Sequence, residues 1–166
     1  MSARAVIDSL EFARGSQQLN GEVQVTQLAR LADSLFDGAG VLNYQLAGGR
    51  DARQRPRLQL AVAGSINLRC QRCLGSLTYP IAVESNLLVL TDKAGGETAE
   101  IDDLDGVPAD PHTDVWGLIE DEVLLALPLS PRHPVGLCNA AVDTSQDRAG
   151  SPFAVLAKLK QDRIQN

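Results

Sequence analysis

Residues 58–83 read LQLAVAGSINLRCQRCLGSLTYPIAV. Leu58, Leu60, Val62, Ile66, Leu68 and Cys70 occupy every second position, with Gly64 filling the gap in the series. Leu77, Tyr79, Ile81 and Val83 resume the alternation downstream. In a strand, successive side chains point to opposite faces, so each set lines one face of a sheet. Two such runs joined by Cys-Gln-Arg-Cys-Leu-Gly-Ser predict a hairpin or adjacent antiparallel strands. Cys70 and Cys73 then sit at the bend, where a chain can turn both thiols toward one point.

Bulk properties narrow the class. The chain has 166 residues, 44% hydrophobic and 22% charged, enough to bury a core within one domain. The longest apolar run is far short of a membrane span, and the N-terminus shows no basic-then-apolar signal pattern, so a cytoplasmic location is expected. Three cysteines, two of them three positions apart, argue against a disulfide framework. The net charge of -6 speaks against a simple nucleic-acid coat, yet the charges are segregated. Arg50 to Arg72 holds six arginines and one acid, whereas Ala94 to Glu122 holds ten acids and no lysine or arginine. One basic and one acidic face are expected, the first suited to RNA and the second to basic proteins. A solvated surface is the plainer account of the acidic run.

Working outward, Val6 to Phe12 reads as an edge strand or an irregular arm. Val25, Leu28, Ala29, Leu31, Ala32, Leu35 and Phe36 follow helical spacing, stopped by Gly38 and Gly40. Val41 to Leu46 alternates as a strand, and Gly48-Gly49 with the arginine-rich piece to Pro56 reads as a loop. Thr91 to His112 has the composition of a mobile acidic loop. Thr113 is positioned to cap a helix whose stripe is Trp116, Ile119, Val123 and Leu127, with Leu118 and Leu125 beside it; Pro128 ends it. Pro131, Pro134 and Gly136 shape a turn carrying His133 and Cys138. Residues 139–150 read as a polar linker, and Ser151-Pro152 opens a last short helix. The expected organisation is an α+β core over 1–138 with a mobile loop near 92–112, the linker, and a C-terminal helix and tail over 151–166. The expected sheet is antiparallel, either open or closed into a barrel, with a few packed helices.

The thiols pose the sharpest chemical question. Zinc takes four tetrahedral sulfur or nitrogen ligands, and a Cys-x-x-Cys bend supplies two. His133 and Cys138 would complete a set of Cys70, Cys73, His133 and Cys138, although the gap between the pairs is far longer than in a compact zinc ribbon. The competing reading leaves Cys70 in an apolar face, Cys73 incidental and His133 a solvated loop residue. A redox pair fits poorly, because strand pattern rather than a helix follows Cys73. Glu120, Asp121 and Glu122 lie about 100° apart around a helix, so they do not converge on one ion, and a solvated or partner-facing surface is expected. No P-loop, dinucleotide fingerprint or nucleophile elbow is present. Direct RNA contact would use Arg50, Arg53, Arg55, Arg57, Arg69 and Arg72, with Lys158 and Lys160, since arginine binds phosphate bidentately.

Three stretches in order, Cys70-Gln71-Arg72-Cys73, Glu120 to Pro128 and Pro152 to Lys160, resemble the YceD family of large ribosomal RNA subunit accumulation proteins. The resemblance covers most of the chain. It implies a non-enzymatic role in accumulation of the large-subunit ribosomal RNA, exercised on that RNA or on an assembly protein, and it transfers no catalytic residue. The alternative is a zinc-stabilised adaptor that binds only a protein partner.

Overall fold

The computed structural model describes residues 4–91 and 105–138. Two short elements open the chain, strand β1 (Val6–Ile7) and helix α1 (Ser9–Arg14). The Asp8 carboxylate caps α1 by accepting from the Glu11 N–H at 2.8 Å. Strands β2 (Gln18–Gln24), β3 (Val41–Arg50), β4 (Pro56–Arg69) and β5 (Ser76–Leu90) form an antiparallel meander. Strand β6 (Gly106–Pro108) joins its edge, and strand β7 (Thr113–Asp114) pairs with β1.

The alternation read from residues 58–83 is the β4–β5 hairpin. Its register sets Leu58 opposite Leu87, Val62 opposite Val83 and Leu68 opposite Leu77 on the inner face. Leu42, Tyr44 and Leu46 of β3 and Val23 of β2 continue that face, and all four are buried. Helix α2 (Val115–Ala126) covers it with Val115, Trp116, Ile119 and Val123, spaced to share one side of the helix. The outer face carries Asn43, Gln45, Gln59, Glu84 and Asn86 and is open to solvent. A polar outer face and an apolar inner one are what an antiparallel sheet covered on one side requires.

The α+β class holds, but two parts of the expected sheet do not. β6 runs parallel to β5, so the sheet is mixed, and its order β2-β3-β4-β5-β6 leaves it open rather than closed into a barrel. A three-residue strand returning from a long excursion can pair in the same direction, as a tight hairpin cannot. β6 also lies inside the stretch expected to be a loop; residues 92–104 of that loop fall outside the described residues.

Val25 to Phe36 is not an α-helix. It forms two 3-10 turns, Val25–Gln27 and Ala29–Leu31, separated at Leu28 by φ -99° and ψ 84°. Val25, Leu28 and Leu31 recur every three residues and are all buried, which suits a three-residue turn as well as an α-helix. Gly48 and Gly49 belong to β3 rather than to a loop. A Cβ on Gly48 would lie 2.1 Å from the Phe12 carbonyl oxygen, so glycine is what lets α1 rest on the strand. The cap of α2 is Asp114, which accepts from the Trp116 N–H at 3.1 Å, and not Thr113. Leu125, placed by periodicity near the buried stripe, is exposed.

Candidate metal centre

The β4–β5 bend is a tight knuckle. The Cys70 N–H donates to the Gly75 carbonyl at 3.0 Å, and the Leu74 N–H donates to the Cys70 carbonyl at 2.9 Å. Leu74 closes the turn with φ 59°, a left-handed conformation that side-chain-bearing residues adopt only where surrounding contacts hold them. This reversal brings the Cys70 and Cys73 sulfurs to the same side. The chain leaving α2 is tied to the knuckle through the Gln71 N–H, which donates to the Pro131 carbonyl at 2.8 Å. The Arg72 guanidinium adds bonds of 3.3 Å each to the His133 and Pro134 carbonyls.

Cys70, Cys73, His133 and Cys138 therefore meet, with their ligand atoms within 4.8 Å of one another, in a group that could hold a metal ion. The Cys70 and Cys138 sulfurs are 3.8 Å apart, and His133 Nδ1 lies 3.4 Å from Cys73 and 3.6 Å from Cys138. Zinc bonds of about 2.3 Å to sulfur and about 2.0–2.1 Å to nitrogen, at tetrahedral angles, set sulfur–sulfur edges near ~3.8 Å and sulfur–nitrogen edges near ~3.6 Å. These three edges match, and the remaining pairs lie within 4.8 Å. All three cysteines are free thiols. His133 Nε2 lies 2.9 Å from the Ser76 carbonyl, to which it donates its proton, and Nδ1 is the nitrogen turned toward the sulfurs.

Electrostatics agree with the geometry. Burial opposes ionisation of Cys70, but the N–H groups of Cys73, His133 and Arg72 outweigh it and bring the thiol down to about 5. Burial likewise opposes Cys138, and the Arg72 guanidinium, 2.9 Å from its sulfur, and His133 lower it. Cys73 moves upward: the Gly75 N–H favours its thiolate, while burial and the neighbouring Cys70 and Cys138 sulfurs outweigh that bond. His133 is raised by Cys138 first, then by Cys70 and the Ser76 carbonyl. Cys70 and Cys138 are thus biased toward the anionic form in which sulfur binds a divalent cation.

The arginines expected to act together are divided. Arg50, Arg53, Arg55 and Arg57 sit at the β3–β4 turn, whereas Arg69 and Arg72 sit at the knuckle. The intervening strand spans roughly 40 Å at about 3.4 Å per residue. Arg50 donates to the Gln54 carbonyl at 3.4 Å, and Arg55 pairs with Asp51 at 2.6 Å. The Asp51 carboxylate also accepts from the Arg53 N–H at 2.9 Å. Arg57 donates to Asn86 at 3.5 Å from its Nη1. Lys158 and Lys160 lie outside the described residues.

The acidic helix positions are likewise not one solvated surface. Glu120 is buried, accepting from the Arg30 backbone N–H and, at 3.0 Å, from its Nε, while Asp121 is exposed and pairs with the same guanidinium. Glu122 is buried and accepts from the Ser85 hydroxyl. The position of Arg72 over Cys138 escaped sequence reasoning, because its partners lie more than sixty residues away.

An open sheet backed by one helix, with a Cys3His cluster at its hairpin tip, defines a small α+β protein. Among the described residues no helix is long and apolar enough to cross a membrane. The family model of the large ribosomal RNA subunit accumulation protein YceD matches residues 58–160, and the chain belongs to that family. It is 27% identical to the large ribosomal RNA subunit accumulation protein YceD of Haemophilus influenzae, over 93% of this chain and 94% of that one. No solved structure matches.

Proposed function

We propose that this chain is a cytoplasmic, non-enzymatic factor in biogenesis of the large ribosomal subunit. It supports accumulation of the large-subunit ribosomal RNA by contacting that RNA or an assembly protein, and a zinc ion clamps its fold. The observation that carries the role is the family match over residues 58–160. The zinc assignment rests on the tetrahedral edges and on the donor set, since three thiolates and one imidazole suit zinc better than the oxygen-seeking cations. Zinc held by four protein ligands has no open position and serves structure. It joins the β4–β5 knuckle to the chain leaving α2.

Purified protein should co-sediment with immature large-subunit particles and carry one zinc per chain. Absence of co-sedimentation at low salt overturns the role, and absence of zinc in protein prepared without chelator overturns the clamp. The second reading, a zinc-stabilised adaptor recognising only protein, is favoured by the engagement of Arg55 with Asp51 and of Arg72 with the turn. Under it, an Arg55→Glu/Arg57→Glu variant keeps its particle association.

A further inference from the structure

Of the five most exposed large apolar side chains among the described residues, three lie in the two turns that carry the metal-ligand candidates. Leu74 at the knuckle tip is 63% exposed, and Val135 and Leu137 in the facing turn are 94% and 66% exposed. Leu129, at the exit from α2, is also fully in solvent. The Pro134–Leu137 turn is closed by the Leu137 N–H donating to the Pro134 carbonyl at 3.1 Å, with Gly136 at φ 87°. Each of Leu74, Val135 and Leu137 is within two residues of a ligand in the cluster, so the apolar tips stand on one clamped module. Single exposed leucines are ordinary, but several clustered on a rigid support mark a binding site. Arg69, the residue before Cys70, edges a groove of about 380 Å³ lined by Val25, Leu28, Leu35, Phe36 and Asp37.

We infer that this metal-clamped end docks a protein segment that presents acidic side chains around apolar anchors. The inference rests on the proposed role at the immature large subunit and names the kind of partner met there. Charge selects the chemistry: residues 69–76 and 127–138 contain Arg69, Arg72 and Arg132 and no carboxylate, in a chain of net charge -6. Arg72 is spent on the turn, whereas Arg69 and Arg132 are exposed. Arginine beside apolar anchors is the composition of protein interface centres. RNA fits less well, because those two stretches hold no Phe, Tyr or Trp to stack on unpaired bases. The chain's own C-terminal stretch fits less well too. Residues 151–166 carry Lys158, Lys160 and Arg163 against Asp162, a like charge to the module.

The test places a photoreactive benzoylphenylalanine at Val135, with a control at Gln59 on the open sheet face, and irradiates the full-length protein on purified immature large-subunit particles. A cross-link from position 135 to a protein, at a peptide rich in Asp or Glu, is the expected result. In parallel, a Leu74→Ser/Val135→Ser variant should keep its zinc and lose about tenfold or more in particle affinity, as loss of interface anchors does. A cross-link to RNA, to a second copy of the chain, to its own residues 139–166 or to a basic peptide overturns the inference. So does unchanged affinity of the double variant, or the absence of any cross-link while the protein still co-sediments, and these results leave the proposed role standing. Failure of the unmodified protein to co-sediment overturns both.

Discussion

Replacing Cys138 with serine removes one sulfur from the cluster and should convert a metal-clamped chain into one that chelators no longer affect. The magnitude follows from chain topology. Cys70 with Cys73, and His133 with Cys138, are local pairs, but Cys73 and His133 are 60 positions apart. An unfolded chain that offers all four ligands must first close that loop, at a cost of about 4 kcal/mol by loop-closure arithmetic. The folded chain has the loop closed already, so zinc prefers the folded state by about that amount. For a chain of this length, ~4 kcal/mol corresponds to a melting shift of about 8–16 °C. The assay is thermal unfolding of wild type and Cys138→Ser, each with and without chelator, beside elemental analysis. Wild type should lose that interval on chelation, and the variant should start near the chelated value. A wild-type melting temperature indifferent to chelator, in protein that contains zinc, would refute the reasoning.

Other expectations follow from single residues. Leu60→Ala, a buried position facing Leu46, should cost about 2–5 kcal/mol in denaturant unfolding, whereas Leu125→Ala on the exposed side of α2 should stay within about 0.5 kcal/mol. Burial alone would raise the Asp51 carboxyl, but the Arg55 N–H and guanidinium and the Arg53 N–H outweigh it and hold it below the usual range. Its stabilising contribution is thus full above the ordinary carboxylate range and lost as pH falls through its lowered value. Asp51→Asn should therefore lower the melting temperature at neutral pH, and the gap from wild type should close in strong acid. Metal ligands bind only when deprotonated, so zinc should stay bound at neutral pH and leave only in the acid range, as protons compete for the thiolates and His133. A dye that reports free zinc during acid titration would show this, and release beginning well above that range would count against it.

Local pattern and tertiary placement divided the work in a physically intelligible way. Alternation through Leu58–Cys70 and Leu77–Val83 was enough to predict the hairpin, because a period of two has one structural meaning when one face must be buried. The α2 stripe and its end at Pro128 were legible for the same kind of reason. Val25, Leu28 and Leu31 misled, because a spacing of three serves a 3-10 turn and an α-helix alike, and burial against the sheet decided between them. The direction of β6 depended on a return path of the chain that no local pattern encodes. The arginine run looked like one surface in sequence, yet a long strand carried its two ends apart, and pairing with Asp51 engaged part of it.

The four metal-ligand candidates were named from residue type and local spacing, since a Cys-x-x-Cys bend and a turn carrying His133 and Cys138 supply sulfur and nitrogen donors. Whether they meet was beyond the sequence. Convergence needed the left-handed Leu74 to turn both sulfurs inward, α2 to run back along the sheet, and Arg72 to hold the His133–Pro134 backbone against the knuckle. Donor chemistry belongs to side chains and can be read in order. The distance between donors sixty positions apart is set by packing of the whole sheet and helix.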